Sequence, residues 1–309
     1  MKSAGGDGLD GVEFEATSCA RKLHSARQKQ ATVALVVAAL IFGTTFVTVK
    51  DAIVGVPVVA FLAARFAVGT LAMVPFAIRR RRTPGLLTAG IRAGGALLLA
   101  YAAQTEGLRF VDESTSAFIT YLLVIFVPMI VAGMTRRRPS RSTVIGVVAS
   151  AVGLFLLAGA RGHGVGRGEA LTLLCALGFA THIVLLDRVT EHHDPVLLNA
   201  VQLGVVAIGA GAYGLVVGGS FHFSLHVWLA VVYLGVMASA TAFFLQTWAQ
   251  RHVGPTRAAL LLMLEPVFAA LLAGALGRGL SARGVAGALL ILIGIAPRPA
   301  PRPARRRGT

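Results

Sequence analysis

Residues 114–134 read STSAFITYLLVIFVPMIVAGM, with no charged side chain. A bilayer core asks for about 20 apolar residues per helix, with a range of roughly 17–25. Nine other stretches meet or approach that length: 32–49, 56–78, 86–105, 142–160, 170–186, 195–217, 227–248, 257–276 and 280–296. Only 14% of the 309 residues are charged and 56% are hydrophobic, whereas soluble domains carry about 25% charge. The expected fold is therefore an all-α integral membrane protein of ten transmembrane helices, with the bilayer as its first partner.

The formal net charge of +16 does not call for nucleic acid. The arginines come in short bursts between apolar stretches, such as RRRR at 79–82 and TRRRPSR at 135–141, and no soluble domain remains to carry a binding face. Such bursts are topology signals. With the N-terminus inside, the inner segments hold 21 of the lysines and arginines and the outer loops hold six. Both termini are then cytosolic, as an even span count also requires, and the cell (inner) membrane is the expected location. Residues 1–30 lack the apolar core of a signal peptide and read as a disordered cytosolic tail. Residues 297–309, rich in Pro and Arg, read as a second, basic tail.

The chain also repeats itself. A shift of 141 residues pairs Thr115 with Thr256, Gly133 with Gly274, Ser140 with Ser281, Gly146 with Gly287 and Gly153 with Gly294. A shift of 142 pairs AYAAQTEGLRFV (100–111) with AFFLQTWAQRHV (242–253), and so Gln104 with Gln246. A shift of 137 pairs ALIFGTTFV (39–47) with ALGFATHIV (176–184). The first unit covers 31–160 and the second 170–296, joined by a linker at 161–169. Each unit holds five spans, an odd number, so the second must enter the membrane from the opposite face. Inverted repeats of this kind mark alternating-access transporters with a substrate site near the midplane.

The segments FGTTFVTVKDAI (42–53), ARFAVGTLAMVPFA (64–77), AFITYLLVIFVPMIVAG (117–133) and AALLLMLEPVFAALLAG (258–274) resemble the EamA group of the drug/metabolite transporter (DMT) superfamily over nearly the whole chain after residue 30. The resemblance implies ten helices in two inverted five-helix halves, and movement of a small metabolite, often export of an amino acid or a related compound. Two features depart from the family: no tryptophan precedes the glycine of FGTTF, and the tenth span is short.

Polar residues inside spans are costly and mark candidate sites. A charge at the bilayer centre costs about 2.5–3.5 kcal/mol on insertion scales, so Glu265 is expected to line a wet cavity. Pro266 beside it and Pro128 in span 4 are expected helix breaks, since proline removes a donor and clashes with the preceding turn. Thr120 and Tyr121 precede Pro128 and are candidates for the same cavity. Gln104 and Gln246 can both donate and accept. Thr44, Thr45 and His182 fall on the matched segments of spans 1 and 6, and His182 could relay protons. Arg65 is a candidate anion partner or a snorkelling residue. The expected cavity is lined by spans 1, 3, 4, 6, 8 and 9.

Other motifs fail. GHGVGRG (162–168) lacks a Walker lysine and the spacing of a dinucleotide loop. EHHD (191–194), like the His222 and His226 pair, lacks the ligand count of a closed zinc site. No metal and no cofactor is expected. The sequence therefore points to a secondary transporter of a small-molecule substrate, with the proton as a candidate co-substrate and a homodimer as a candidate assembly. The alternative is a membrane-embedded enzyme or sensor on the same scaffold, which would need paired catalytic groups at one depth.

Overall fold

A computed structural model describes residues 7–52, 55–111, 113–159, 166–275 and 281–296, with the backbone alone at 7–22, 24, 45–47, 50–51, 113–114 and 273. Among these residues there are helices and turns and no strand. The helices are α1 (Asp7–Ala52), α2 (Val58–Ala77), α3 (Leu86–Gly107), α4 (Glu113–Tyr121), α5 (Leu123–Thr135), α6 (Arg141–Ala158) and α7 (Arg167–Val189). They continue as α8 (Pro195–Val216), α9 (Leu225–Leu234), the π-helical segment π1 (Gly235–Ala242), α10 (Phe243–Ala249), α11 (Pro255–Leu262), α12 (Leu264–Ala275) and α13 (Ala282–Ile295).

Among the described residues, eight segments are long and apolar enough to cross a membrane, from Val58–Ala77 through Pro255–Leu272. The other two expected spans are the second half of α1 and α13. Residues Ala31, Leu35, Ala38 and Ala39 of α1 are fully buried in the main core. Helix α13 has 14 residues, or about 21 Å at 1.5 Å per residue, short of a 30 Å bilayer core. One expectation is corrected. Residues 7–30, expected as a disordered tail, belong to α1, because FEATSCARKLHSARQKQA (14–31) is rich in strong helix formers. The tail at 297–309 and most of the linker lie outside the described residues, and the second unit's first helix begins at Arg167.

Spans 4 and 9 are each broken, but not at Pro128 and Pro266, which were expected to break them and instead lie within helices. Span 4 breaks at Leu122, between α4 and α5, and span 9 breaks at Met263, between α11 and α12. These two positions are 141 residues apart. Each break carries tighter three-residue bonds, from Leu122 N to Ile119 O (3.1 Å) and from Met263 N to Leu260 O (3.2 Å). Pro266 falls in the first turn of α12, where no intrahelical donor is needed. Pro128 falls in the second turn of α5, where its missing N–H leaves Val124 O without its usual partner. The break is thus common to both units, and only the proline has moved.

The serines paired by the same shift are equivalent caps. Ser140 accepts from Thr143 N at the start of α6 (3.2 Å), and Ser281 accepts from Gly284 N at the start of α13 (3.1 Å).

Equivalent helices pack on each other, running antiparallel. Helix α6 meets α13 where a Cβ on Gly153 would lie 2.6 Å from Gly287 O, and a Cβ on Gly294 would lie 2.8 Å from Gly146 O. Helix α2 meets α8 through Thr70 against Gly204 and Ala63 against Gly211. The residues 146/287, 153/294, 63/204 and 70/211 are each 141 apart, so each contact is the image of its neighbour under a two-fold axis. The remaining packing follows the same axis: α3 lies against α7 and α8, while α9, π1 and α10 lie against α1 and α2. Small residues permit this close approach, which replaces the hydrophobic drive that lipid does not supply. Gly153→Ala puts a methyl against Gly287 O and, at 2.8 Å, against Ile291 N. Neither backbone atom can rotate away, so we expect a loss of about 1–3 kcal/mol, read as a lower melting temperature in detergent.

Candidate functional site

Between the two units lies one large cavity with an empty volume of about 1150 Å³ including its open mouth. Helices α1, α2, α3, α4, α7, α10, α11 and α12 and the first residue of α5 line it. Spans 1, 3, 4, 6, 8 and 9 were expected, and span 2 joins them through Phe61, Leu62 and Arg65. The wall is mostly apolar, with Phe42, Phe61, Phe179 and Phe243 among its aromatic residues. Tyr101 is also in the wall, edge-to-face with Phe66 (5.0 Å), Phe179 (5.3 Å) and Phe243 (6.4 Å).

Seven of the sequence candidates meet here: Arg65, Gln104, Thr120, Tyr121, His182, Gln246 and Glu265. Glu265 is the second residue of α12, so the break at Met263 sets its carboxylate at a helix N-terminus, where negative charge is favoured. It is partly accessible to the cavity and lines it together with Tyr121. Tyr121 ends α4, so each of the two breaks sets one of these residues in the wall. Arg65 does not snorkel. It is 4% exposed, and its Nε donates to Ser239 Oγ in π1 (3.1 Å). Its guanidinium carbon lies 5.5 Å from the Tyr101 ring centre. Arg65 and Glu265 feel each other's charge, yet among the described residues no ion pair joins them.

The two paired glutamines line the same cavity with different partners. Gln104 Nε2 reaches Thr120 Oγ1 at 3.5 Å, a long contact. Gln246 Nε2 donates to Gln250 Oε1 (3.2 Å), and Gln250 Nε2 donates to Ile183 O (2.8 Å). His182 is 1% exposed and shares a hydrogen bond with Gln202 Oε1 (2.9 Å). Gln202 Nε2 in turn donates to Asn199 Oδ1 (2.8 Å) and Thr247 Oγ1 (3.2 Å), and Asn199 Nδ2 donates to Ala240 O (3.1 Å). The network therefore ends on a carbonyl of π1.

Thr44 does not line the cavity. Its hydroxyl bonds back to Ile41 O (2.8 Å) and stands 3.5 Å from Tyr233. Phe42 is the lining residue of that turn, and two residues along a helix rotate the side chain by about 200°. Its mate Thr181 bonds back to Leu177 O in the same way, so this pair serves its own helices. The side chain of Thr45 lies outside the described residues. Sequence reasoning missed Tyr101, Gln202, Asn199 and Ser239. Tyr101 was within reach, since the 142 shift pairs it with Phe243; the others have no polar mate under the 141 and 142 shifts. The EHHD segment serves structure: Asp194 caps α8 by accepting from Val196 N (2.9 Å) and Leu197 N (3.3 Å), and it pairs with Arg80 at 2.6 Å.

An all-helical bundle of membrane-length segments with one central cavity is the architecture of a multi-pass membrane protein, and the comparisons with known proteins give it a family. The EamA-like transporter family model matches residues 30–159 and again 166–296. The chain is 30% identical over 267 residues to an uncharacterised transporter of Archaeoglobus fulgidus, covering 86% of this chain and 84% of that one. It is 23% identical to the uncharacterised transporter YoaV of Bacillus subtilis, over 83% of this chain and 92% of the relative. A solved structure of a protein 20% identical superposes with a TM-score of 0.75 over 86% of this chain and 95% of that one, a likeness of fold. The chain belongs to the EamA-like transporter family, of the drug/metabolite type, and these likenesses point to a transporter rather than an enzyme.

The polar network can be tested for its structural share. Gln202→Leu leaves buried partners on His182, Asn199 and Thr247 unmet, at about 1–3 kcal/mol per unsatisfied group. Gln104→Leu breaks one long contact only. We expect Gln202→Leu to lower the detergent melting temperature clearly more than Gln104→Leu does.

Proposed function

We propose that this protein is a secondary transporter that moves a small polar metabolite, an amino acid or a related compound, outward across the inner membrane by alternating access. Its ten spans form two inverted five-helix repeats, with both termini in the cytosol. The observation that carries this reading is the cavity between the units, which is lined by one guanidinium and one carboxylate, Arg65 and Glu265, with no ion pair between them among the described residues. Charges at membrane depth are expensive. A structural pair would normally neutralise itself, whereas separate charges in an accessible cavity leave both free to meet an amphoteric solute. The amides of Gln104 and Gln246, one from each unit, suit the same class of solute.

Alternating access gives the equivalent breaks a purpose. Helix breaks at matched positions let each unit bend where its mate bends, so that one conformation can be the image of the other. Glu265 sits beside one of these breaks, where uptake of a proton or of a cationic substrate group would be felt by the hinge.

The orientation is tested with tags. Reporters after Arg81 and Arg137 are expected in the cytosol and one near Gly164 outside; finding Arg137 and Gly164 on one side ends the inverted arrangement. The function is tested by counterflow of labelled amino acids into proteoliposomes, with and without an imposed pH gradient. Glu265→Gln keeps size and hydrogen bonding but cannot titrate. If the carboxylate couples protons, this variant loses gradient-driven accumulation at least tenfold and keeps exchange. Wild-type rates and wild-type pH dependence in Glu265→Gln would leave Glu265 as a packing residue.

A further inference from the structure

Arg65 is not part of the packing that the two units share. The 141 shift carries it to Val206, which is fully buried in the apolar core. Glycines let π1 close on α2 beside it. A Cβ on Gly69 would lie 2.8 Å from Ser239 Cβ, and a Cβ on Gly235 would lie 2.8 Å from Arg65 O. Ser239, fully buried, is thereby set against the guanidinium. A π-helical turn is a rare device that recurs at functional sites.

Three contacts fix the guanidinium. Its Nε donates to Ser239 Oγ (3.1 Å), and its central carbon lies 5.4 Å from the Phe66 ring centre and 5.5 Å from that of Tyr101. A guanidinium has five N–H donors, and the serine takes the one on Nε. The terminal donors form the planar fork that takes a carboxylate by two parallel bonds. Among the described residues no carboxylate of the protein is paired with it. The cavity wall also holds the carboxyl of Glu265. One group of each sign suits an amphoteric solute, whereas a phosphate dianion would meet a single cation and a like charge. Beside Arg65 the wall is aromatic. Tyr101 meets Phe179 and Phe243 edge-to-face, and Phe243 meets Phe42 at 5.2 Å. These four rings come from α1, α3, α7 and α10, and all of them line the cavity. A polar side chain laid on them would lose water without gaining a partner, while an apolar one gains by its burial.

We propose that the cavity takes an amino acid with a large apolar side chain, that Arg65 binds its carboxylate, and that Ser239 is a positioning residue that keeps the terminal donors of Arg65 turned to the solute. This rests on the transporter reading for its purpose and narrows the substrate class. An amino acid is polar at its head whatever its side chain, so the selection falls on the side chain. A charge-assisted pair with the carboxylate is worth about tenfold or more in affinity, and burial of an apolar side chain about as much again. Without the Ser239 hydroxyl the arginine keeps its charge and loses its fixed direction, so recognition of the carboxylate weakens and contact with the rings does not.

The test reads binding and not transport. The full chain in lipid nanodiscs is titrated with L-phenylalanine, with L-serine, and with 2-phenylethylamine, which is phenylalanine without its carboxylate. Affinity is taken from the rise in melting temperature with concentration. We expect L-phenylalanine to bind about tenfold tighter than either of the others. Arg65→Gln is expected to erase the advantage over phenylethylamine and to keep the advantage over serine. Ser239→Ala is expected to weaken phenylalanine about fivefold and to leave phenylethylamine unchanged; it carries the test alone if Arg65→Gln does not fold. Serine binding as tightly as phenylalanine, a carboxylate preference that survives Arg65→Gln, equal losses of phenylalanine and phenylethylamine in Ser239→Ala, as a loosened bundle would give, or no binding of any probe overturns the proposal. Binding in the stated pattern without counterflow would keep the site and remove the transporter reading, and counterflow of serine at unaltered rates in Arg65→Gln would do the reverse.

Discussion

Lipid tails are as apolar as leucine, so burying apolar surface gives two membrane helices no reason to join. What remains is close contact, and this bundle obtains it by bringing backbone against backbone. At the α6–α13 crossing the space for a Cβ on Gly153 is taken by Gly287 O, and the space for one on Gly294 by Gly146 O. These four glycines are two repeat-related pairs, so a single contact serves both units. The rest of the architecture follows from that arrangement. With equivalent helices antiparallel on the axis, helices 1 to 4 of each unit face those of the other, and the space left between them becomes the cavity.

A cavity at membrane depth also answers for irregular backbone. Helical interruptions free carbonyls, which hydrocarbon cannot satisfy but protein or water can. At π1 the accounting is explicit: Asn199 donates to Ala240 O, and Thr241 Oγ1 donates to Val236 O at 2.9 Å. The same segment supplies Ser239 to Arg65. The π segment is thus held from two sides, by α8 and by α2, and it ties the His182 network to the arginine. At Leu122 and Met263 the breaks bring Tyr121 and Glu265 together. Irregularity and function coincide here because both require the same shelter from lipid.

Much of this was legible in the sequence because it is periodic or repeated. Spans declare themselves by length, and the repeat by fixed shifts. The repeat also drew attention to Gln104, Gln246, Ser140 and Ser281, all of which have definite roles as cavity walls or caps. The same signal misled at Thr44 and Thr181, where a matched pair turned out to bond within its own helices. Pairing reports a shared position in the fold and not which way a side chain faces. Gln202 and Asn199 were hidden for the opposite reason. They have no polar mate, and their importance comes from buried contacts between α7, α8 and π1 that no spacing reveals. Residues 7–30 are polar and yet helical, because polarity alone does not oppose a helix where the residues are strong helix formers.

Symmetry and its violations divide the labour in this molecule. The backbone devices are shared: the breaks at 122 and 263, the caps at 140 and 281, the glycine crossings. The chemistry is not. Glu265 corresponds to Val124, fully buried, and Tyr121 corresponds to Leu262, a plain wall of the cavity. A perfectly symmetric pair of units would have two conformations of equal energy and two equivalent sites, with nothing to distinguish inside from outside. In the proposed alternating-access cycle, shared breaks would let the two conformations form at comparable cost. The unshared polar residues put the cavity carboxylate in one unit only. A carboxylate beside a single hinge can respond to a proton in a way that its image, a valine, cannot. The asymmetry that a repeat comparison treats as drift is therefore where the direction and coupling of such a bundle must be written.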